Sequence, residues 1–133
     1  NLTRMDGWRD DNAYDRQSAT VRWDRFADDG LTLRTVVTGT RVDQSDAGAV
    51  SGAQLRDGST FNRSPVAFRQ VRALRWNTAV ERTGARTSWG LTPYARHNVL
   101  DLLPNWQLDG DPQVYTTRST SAGLLARVRR DFD

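Results

Sequence analysis

Four residues of wide chemical range lie in the later part of this 133-residue chain: Arg96, His97, Trp106 and Tyr115. A guanidinium fork suits an anionic group, an aromatic ring suits a flat or apolar one, and an imidazole can ligate iron. All four fall at the end of an alternating segment or in a polar stretch that reads as a loop, where binding residues concentrate. They are the candidates for capturing a ligand. Enzyme activity is not expected: His97 is the single histidine and there is no cysteine, which excludes a Cys-His pair. A Ser-His-Asp triad would need an elbow motif near a serine, and none is present. Asp109-Gly110-Asp111 has carboxylates at a calcium-like spacing, but the other positions of a calcium loop are missing, so it reads as a turn. No metal site and no cofactor are expected.

The elements that position these residues must be strands. Hydrophobic residues make up 37% of the chain, yet they include 5 Trp, 3 Tyr and 4 Phe, and mean hydropathy is −0.70. Few apolar positions, many of them aromatic, suit a sheet with one greasy face better than a closed two-layer core. No apolar run approaches the roughly 20 residues of a membrane helix, and the opening residues carry no secretory signal. Contact with a membrane would have to be made by strands. The net charge of +3 rests on 19 basic residues, all arginine, against 16 acidic ones. Arginine and aspartate are interspersed and build no basic run, so no nucleic-acid partner is expected.

Period-two alternation marks five segments. In the segment from Ala19 to Phe26, Ala19, Val21 and Trp23 oppose Thr20, Arg22 and Asp24. After Asp28-Asp29-Gly30, Leu31, Leu33, Thr35 and Val37 oppose Thr32, Arg34, Thr38 and Thr40. Val36 and Arg25 are mild exceptions. A polar stretch from Asp43 to Ser64 reads as a long loop. Then Leu74, Trp76, Thr78 and Val80 oppose Arg75, Asn77, Ala79 and Glu81, ending at a turn read as Thr83-Gly84 with Val80 across from Thr87. Thr87, Trp89, Leu91 and Ala95 follow on one parity, with Pro93 predicting a bulge or a loss of pairing. A second long loop is read from His97 to about Thr117. The last strand sets Ala122, Leu124, Ala126 and Val128 against Ser121, Gly123, Arg127 and Arg129, with Leu125 the exception. Strand parity agrees with turn length in both hairpins: an odd loop joins the first pair and an even one the second.

The pattern predicts an all-β, antiparallel up-and-down meander of about five strands, part of a transmembrane barrel. Trp23, Trp76 and Trp89 share the apolar parity and are read as lying near the short turns, where a lipid-interface girdle would sit. The opposite parity carries Arg22, Asp24, Arg34, Arg75, Glu81, Arg96, Arg127 and Arg129, which a hydrated or plugged lumen accepts. The competing reading is a soluble all-β binding module with a second layer over the tryptophans. A non-receptor porin shares the barrel physics.

The stretch from Ser64 onward, SPVAFRQVRALRWNTAVERTGARTSWGLTPYARHNVLDLLPNWQLDGDPQVYTTRSTSAGLLARVRRDF, resembles the barrel portion of TonB-dependent outer-membrane receptors. The carriers are the order of a tryptophan-bearing strand, L-x-P-Y-x-R-x-N, LP-x-W, and a final S-x-GL strand ending in RRDF. DGWRDDNAYDRQSATVRWD and TVVTGTRVDQSDAG resemble the strands and loop just upstream, so the likeness spans nearly the whole of 1–133. It implies a barrel of roughly 22 strands, located in the bacterial outer membrane, of which this chain would be a fragment. It further implies outer-membrane lipid around the chain and, from segments this sequence does not contain, a plug, the remaining strands and contact with TonB. The implied ligand is a scarce nutrient of the ferric siderophore, haem or cobalamin class. On that likeness Arg96, His97, Trp106 and Tyr115 become candidate ligand contacts, and Arg75, Arg86 and Glu81 face the plug or lumen water.

Overall fold

The structure, a computed structural model, describes residues 1–104, 110 and 112–132. The fold is all-β: the described residues form six antiparallel strands in one sheet, in the order β1-β2-β3-β4-β5-β6, connected up and down between neighbours. The strands are β1 (Leu2–Met5), β2 (Tyr14–Phe26), β3 (Leu31–Ser45), β4 (Phe68–Thr83), β5 (Thr87–Leu103) and β6 (Tyr115–Arg130), with one short helix, α1 (Gly52–Arg56), between β3 and β4. The sheet is open. The helix begins at a capping box, in which Ser51 Oγ accepts from the Gln54 amide and the Gln54 side chain accepts from the Ser51 amide.

Six strands stand where the alternation predicts about five. The extra one, β1, pairs Leu2 with Gln17 through Met5 with Tyr14, and four residues are too few to show a period. The other strands extend beyond their alternating cores: β2 begins at Tyr14, β3 runs to Ser45, β5 to Leu103, and β6 starts at Tyr115. The second expected loop is therefore strand at both ends, whereas the first is strand only from Asp43 to Ser45 and otherwise holds its place, with α1 inside it. The ladder is made by backbone hydrogen bonds, which continue after the apolar alternation has stopped.

The chain forms two compact units. One comprises Asn1–Ser18, Thr40–Arg72 and Asn98–Arg118, the other Ala19–Gly39, Ala73–His97 and Ser119–Asp133. Within the first, the buried side chains among the described residues are few: Ala47, Ala67, Leu103 and Pro104, with Arg9, Asn62 and Ser64 the polar ones. In the second, no large apolar side chain is buried, and Gly90 is the one buried position among the described residues.

The first hairpin has the three-residue loop that parity requires. The Ala27 amide donates to the Leu31 carbonyl at 2.9 Å, the Gly30 amide to Ala27 at 3.2 Å, and Gly30 has φ +78. A Cβ on Gly30 would stand 2.7 Å from the Thr83 carbonyl oxygen, which itself is held because the Thr83 amide donates to Gly30. Gly30→Ala is expected to lower stability by about 1–2 kcal/mol through the left-handed backbone alone, with more from the clash; a shift in the urea midpoint measures it, and an unchanged midpoint would remove the turn from the account.

The second turn is corrected. The Gly84 amide donates to the Thr87 carbonyl at 3.0 Å, so the tight turn is centred on Ala85-Arg86, not on Thr83-Gly84. The shift is by an even number of ladder positions, so every side chain keeps its face. Pro93 makes no break in β5. A single missing amide donor is tolerated where both neighbouring strands continue past it.

Candidate functional site

The two faces of the second unit differ as the parity demands. Cross-strand side-chain bonds fix the ladder. On the polar face, the Thr20 and Thr38 hydroxyls meet at 3.1 Å, and Arg34 Nε donates to Asp24 at 3.1 Å while Arg22 Nε donates to the same carboxylate at 2.8 Å. Arg127 reaches Glu81 at 2.8 Å. It does so across β5 at Gly90, where an added Cβ would stand 3.1 Å from Arg127 Nε and 3.6 Å from Glu81 Cγ. The absent side chain at Gly90 is what lets a β6 arginine reach a β4 carboxylate. Two rungs further along, the Tyr94 ring lies over Gly123, with its hydroxyl 2.5 Å from where a Cβ would be.

The other face is uncovered. Val21 is 68% exposed, Trp23 52%, Leu74 55% and Leu124 61%, with Trp89 half-buried. The Thr35 and Thr78 hydroxyls bond on this face at 3.0 Å, which places Trp23 and Trp76 on the same side. The three tryptophans share this side but not one level. Counting along the ladder, Trp89 follows the Gly84–Thr87 turn almost at once, Trp23 stands midway, and Trp76 lies far up β4 beside Ala95 and His97. The expectation of a single girdle near the turns is therefore corrected: Trp76 stands well up β4 from the Gly84–Thr87 pair.

Arg96 and His97 are neighbours within β5, not residues of a loop boundary. Successive strand residues face opposite ways, and the structure obeys this. Arg96 Nε donates to Ser121 Oγ at 2.6 Å on the polar face, whereas His97 Nδ1 meets Thr120 Oγ1 at 2.7 Å beside Leu74 and Trp76 on the apolar one. They cannot hold one ligand together from one face. Tyr115 opens β6 and belongs to the first unit. Trp106 lies outside the described residues, as do Asp109 and Asp111. Among the described residues no three His, Cys, Asp or Glu side chains gather as a metal site.

Two features of the first unit escape sequence reasoning. In one, Asp101 accepts from the Thr116 hydroxyl at 2.7 Å and from Arg72 at 3.0 Å, contacts that hold its carboxyl below the usual carboxylate range, the hydroxyl first. In the other, Arg9, 7% exposed, donates from Nε and Nη2 to the Phe61 carbonyl at 3.2 and 2.7 Å and from Nη1 to the Gly48 carbonyl at 2.7 Å. Its guanidinium also stands 5.8 Å from the Trp8 ring centroid. Asn62 supports the same knot by accepting from the Ser64 amide at 2.8 Å. Arg9 sits in a short polar segment with no period or motif, so no signal in the sequence distinguishes it from the other arginines.

The fold class is that of an open, single-layer antiparallel meander with one polar and one apolar face. Compared with family models, with curated proteins and with solved structures, the chain finds no match. No helix among the described residues is long and apolar enough to cross a membrane, which says nothing about strands.

Proposed function

We propose that the chain is a segment of a bacterial outer-membrane β-barrel, from a TonB-dependent receptor that takes up a scarce nutrient. The observation that carries this reading is the apolar face of the second unit. In water, leaving a Val or Leu side chain exposed forgoes about 1.5–3 kcal/mol that burial would contribute. Val21, Leu74, Leu124 and Val128 all remain at least half exposed on that face. Lipid is the solvent in which such a face is stable. Trp89 and Trp76 lie six ladder positions apart, roughly 20 Å at about 3.3 Å per residue, close to the roughly 25 Å apolar band of such barrels with aromatics toward both interfaces. On this reading about ten residues of each strand cross the hydrocarbon, and Asp101 and Arg72 lie outside it.

The opposite face, with Arg22, Asp24, Arg34, Glu81 and Arg127 joined in ion pairs, suits a hydrated interior. A plug and further strands belong to the same barrel on this proposal, and the open sheet leaves edges for those strands to pair with. Porins share this physics; the likeness of the Ser64-to-Phe132 stretch to receptor barrels is what favours a receptor. The nutrient class, a siderophore, haem or cobalamin, rests on that likeness alone. The test is tryptophan emission of the whole chain folded into phosphatidylcholine vesicles. A blue shift with quenching by brominated acyl chains is the expected result. A monomeric sheet that forms in buffer without lipid or detergent would overturn the reading.

A further inference from the structure

One rung of the polar face differs from the others. The Thr35–Thr78 bond sets the β3–β4 register and brings Thr38 across from Arg75. Counting from the Gly84–Thr87 pair, with Gly90 beside Glu81 as a check, brings Arg75 across from Arg96. Arg96 in turn meets Ser121, and Thr38 meets Thr20. The rung therefore reads Thr20, Thr38, Arg75, Arg96, Ser121 across five strands, all within the second unit. Its next neighbours toward the turns include Asn77 and Tyr94.

Like charges directly across a ladder destabilise a sheet. The other polar-face arginines named above have carboxylates: Arg22 and Arg34 share Asp24, and Arg127 holds Glu81. Arg75 has no hydrogen bond or ion pair among the described residues, and Arg96 has only the Ser121 hydroxyl. Asp24 and Glu81 lie two and three rungs nearer the turns, roughly 13 Å or more along the strands, beyond a Debye length at physiological salt. Two adjacent guanidinium forks are flanked by three hydroxyls, an amide and a phenol, all neutral groups that can donate as well as accept. Such a set lacks an acceptor carrying negative charge.

We infer that this rung binds an oxyanion, a phosphate or carboxylate group of a small ligand, between Arg75 and Arg96. The fork of each arginine can meet two oxygens of the anion, and Thr38 and Ser121 can donate to the others. The inference needs only the sheet and not a membrane.

Inorganic phosphate is the probe, titrated into the full chain at constant ionic strength with sodium chloride as the balance, with sheet content checked by circular dichroism. The arginine Nε–H resonances are the readout. Two resonances should shift saturably, and Arg75→Gln and Arg96→Gln should each weaken phosphate binding about tenfold or more, as expected for loss of a charged two-point contact. Arg22→Gln, which belongs to the Asp24 pair, should leave the affinity unchanged. Absence of a saturable shift in a folded sheet overturns the inference. So does a gain in thermal midpoint in Arg75→Gln that is the same with and without phosphate, since that would report repulsion alone. Phosphate binding by a sheet that stays out of lipid would leave this inference standing while removing the barrel reading; the reverse pair of results would do the opposite.

Discussion

Replacing Leu124 by arginine should destabilise the chain in lipid vesicles by about 2–4 kcal/mol, the cost of an arginine at the bilayer midplane on the lipid face of a barrel. Leu124 lies between Ala122 and Ala126 on the apolar face of β6 and is 61% exposed. In water, a substitution at so open a site normally changes stability by less than about 0.5 kcal/mol. The adjacent Leu125 supplies an internal control. It is 63% exposed but faces the other way, near Glu81 and Arg127, where an added arginine remains hydrated. Leu125→Arg should therefore be close to neutral. The comparison is read from urea midpoints of both variants in phosphatidylcholine vesicles. Equal effects at the two positions would mean that the faces see the same solvent, and the membrane reading would fail with them.

The second large effect is expected at Arg9. Its three donors bind two carbonyls that belong to separate parts of the polar stretch after β3, Gly48 and Phe61. No carboxylate pairs with it among the described residues; carbonyl dipoles and the Trp8 ring solvate the charge instead. Hydrogen bonds to a charged group contribute about 1.5–3 kcal/mol each, and truncation leaves the carbonyls without these donors. Arg9→Ala is expected to cost about 3 kcal/mol locally. Hydrogen exchange of the Asp10 amide, bonded to Thr60 at 2.8 Å, and of the Asp46 amide, bonded to Ala67 at 2.9 Å, should accelerate about a hundredfold. Arg9→Lys should recover little, because a single ammonium cannot reproduce the planar fork. Unchanged exchange in Arg9→Ala would show that the loop segments are held by their backbone contacts alone.

The sequence by itself determined which residues share a face. Side chains alternate with a period of two, so Trp23, Val37, Leu74, Trp76, Leu91 and Leu124 were bound to one side, and Arg22, Arg75, Arg96 and Arg127 to the other, in any register of the parity that the turn lengths set. It also determined the first turn, where Gly30 is the residue able to take the left-handed backbone without cost. The level at which residues meet was decided only by the tertiary structure. Moving the second turn to Ala85-Arg86 keeps every face, yet changes each cross-strand partner, so Trp76 comes to stand beside Ala95 and Glu81 beside Gly90. Faces depend on local geometry, whereas partners depend on hydrogen bonds between distant segments. The same distinction explains Arg9, Arg75 and the mismatched faces of Arg96 and His97. Parity places Arg96 and His97 on opposite sides once β5 is known to continue to Leu103, but Val99, Leu100, Leu102 and Leu103 do not keep the period of two and so give no sign of that continuation.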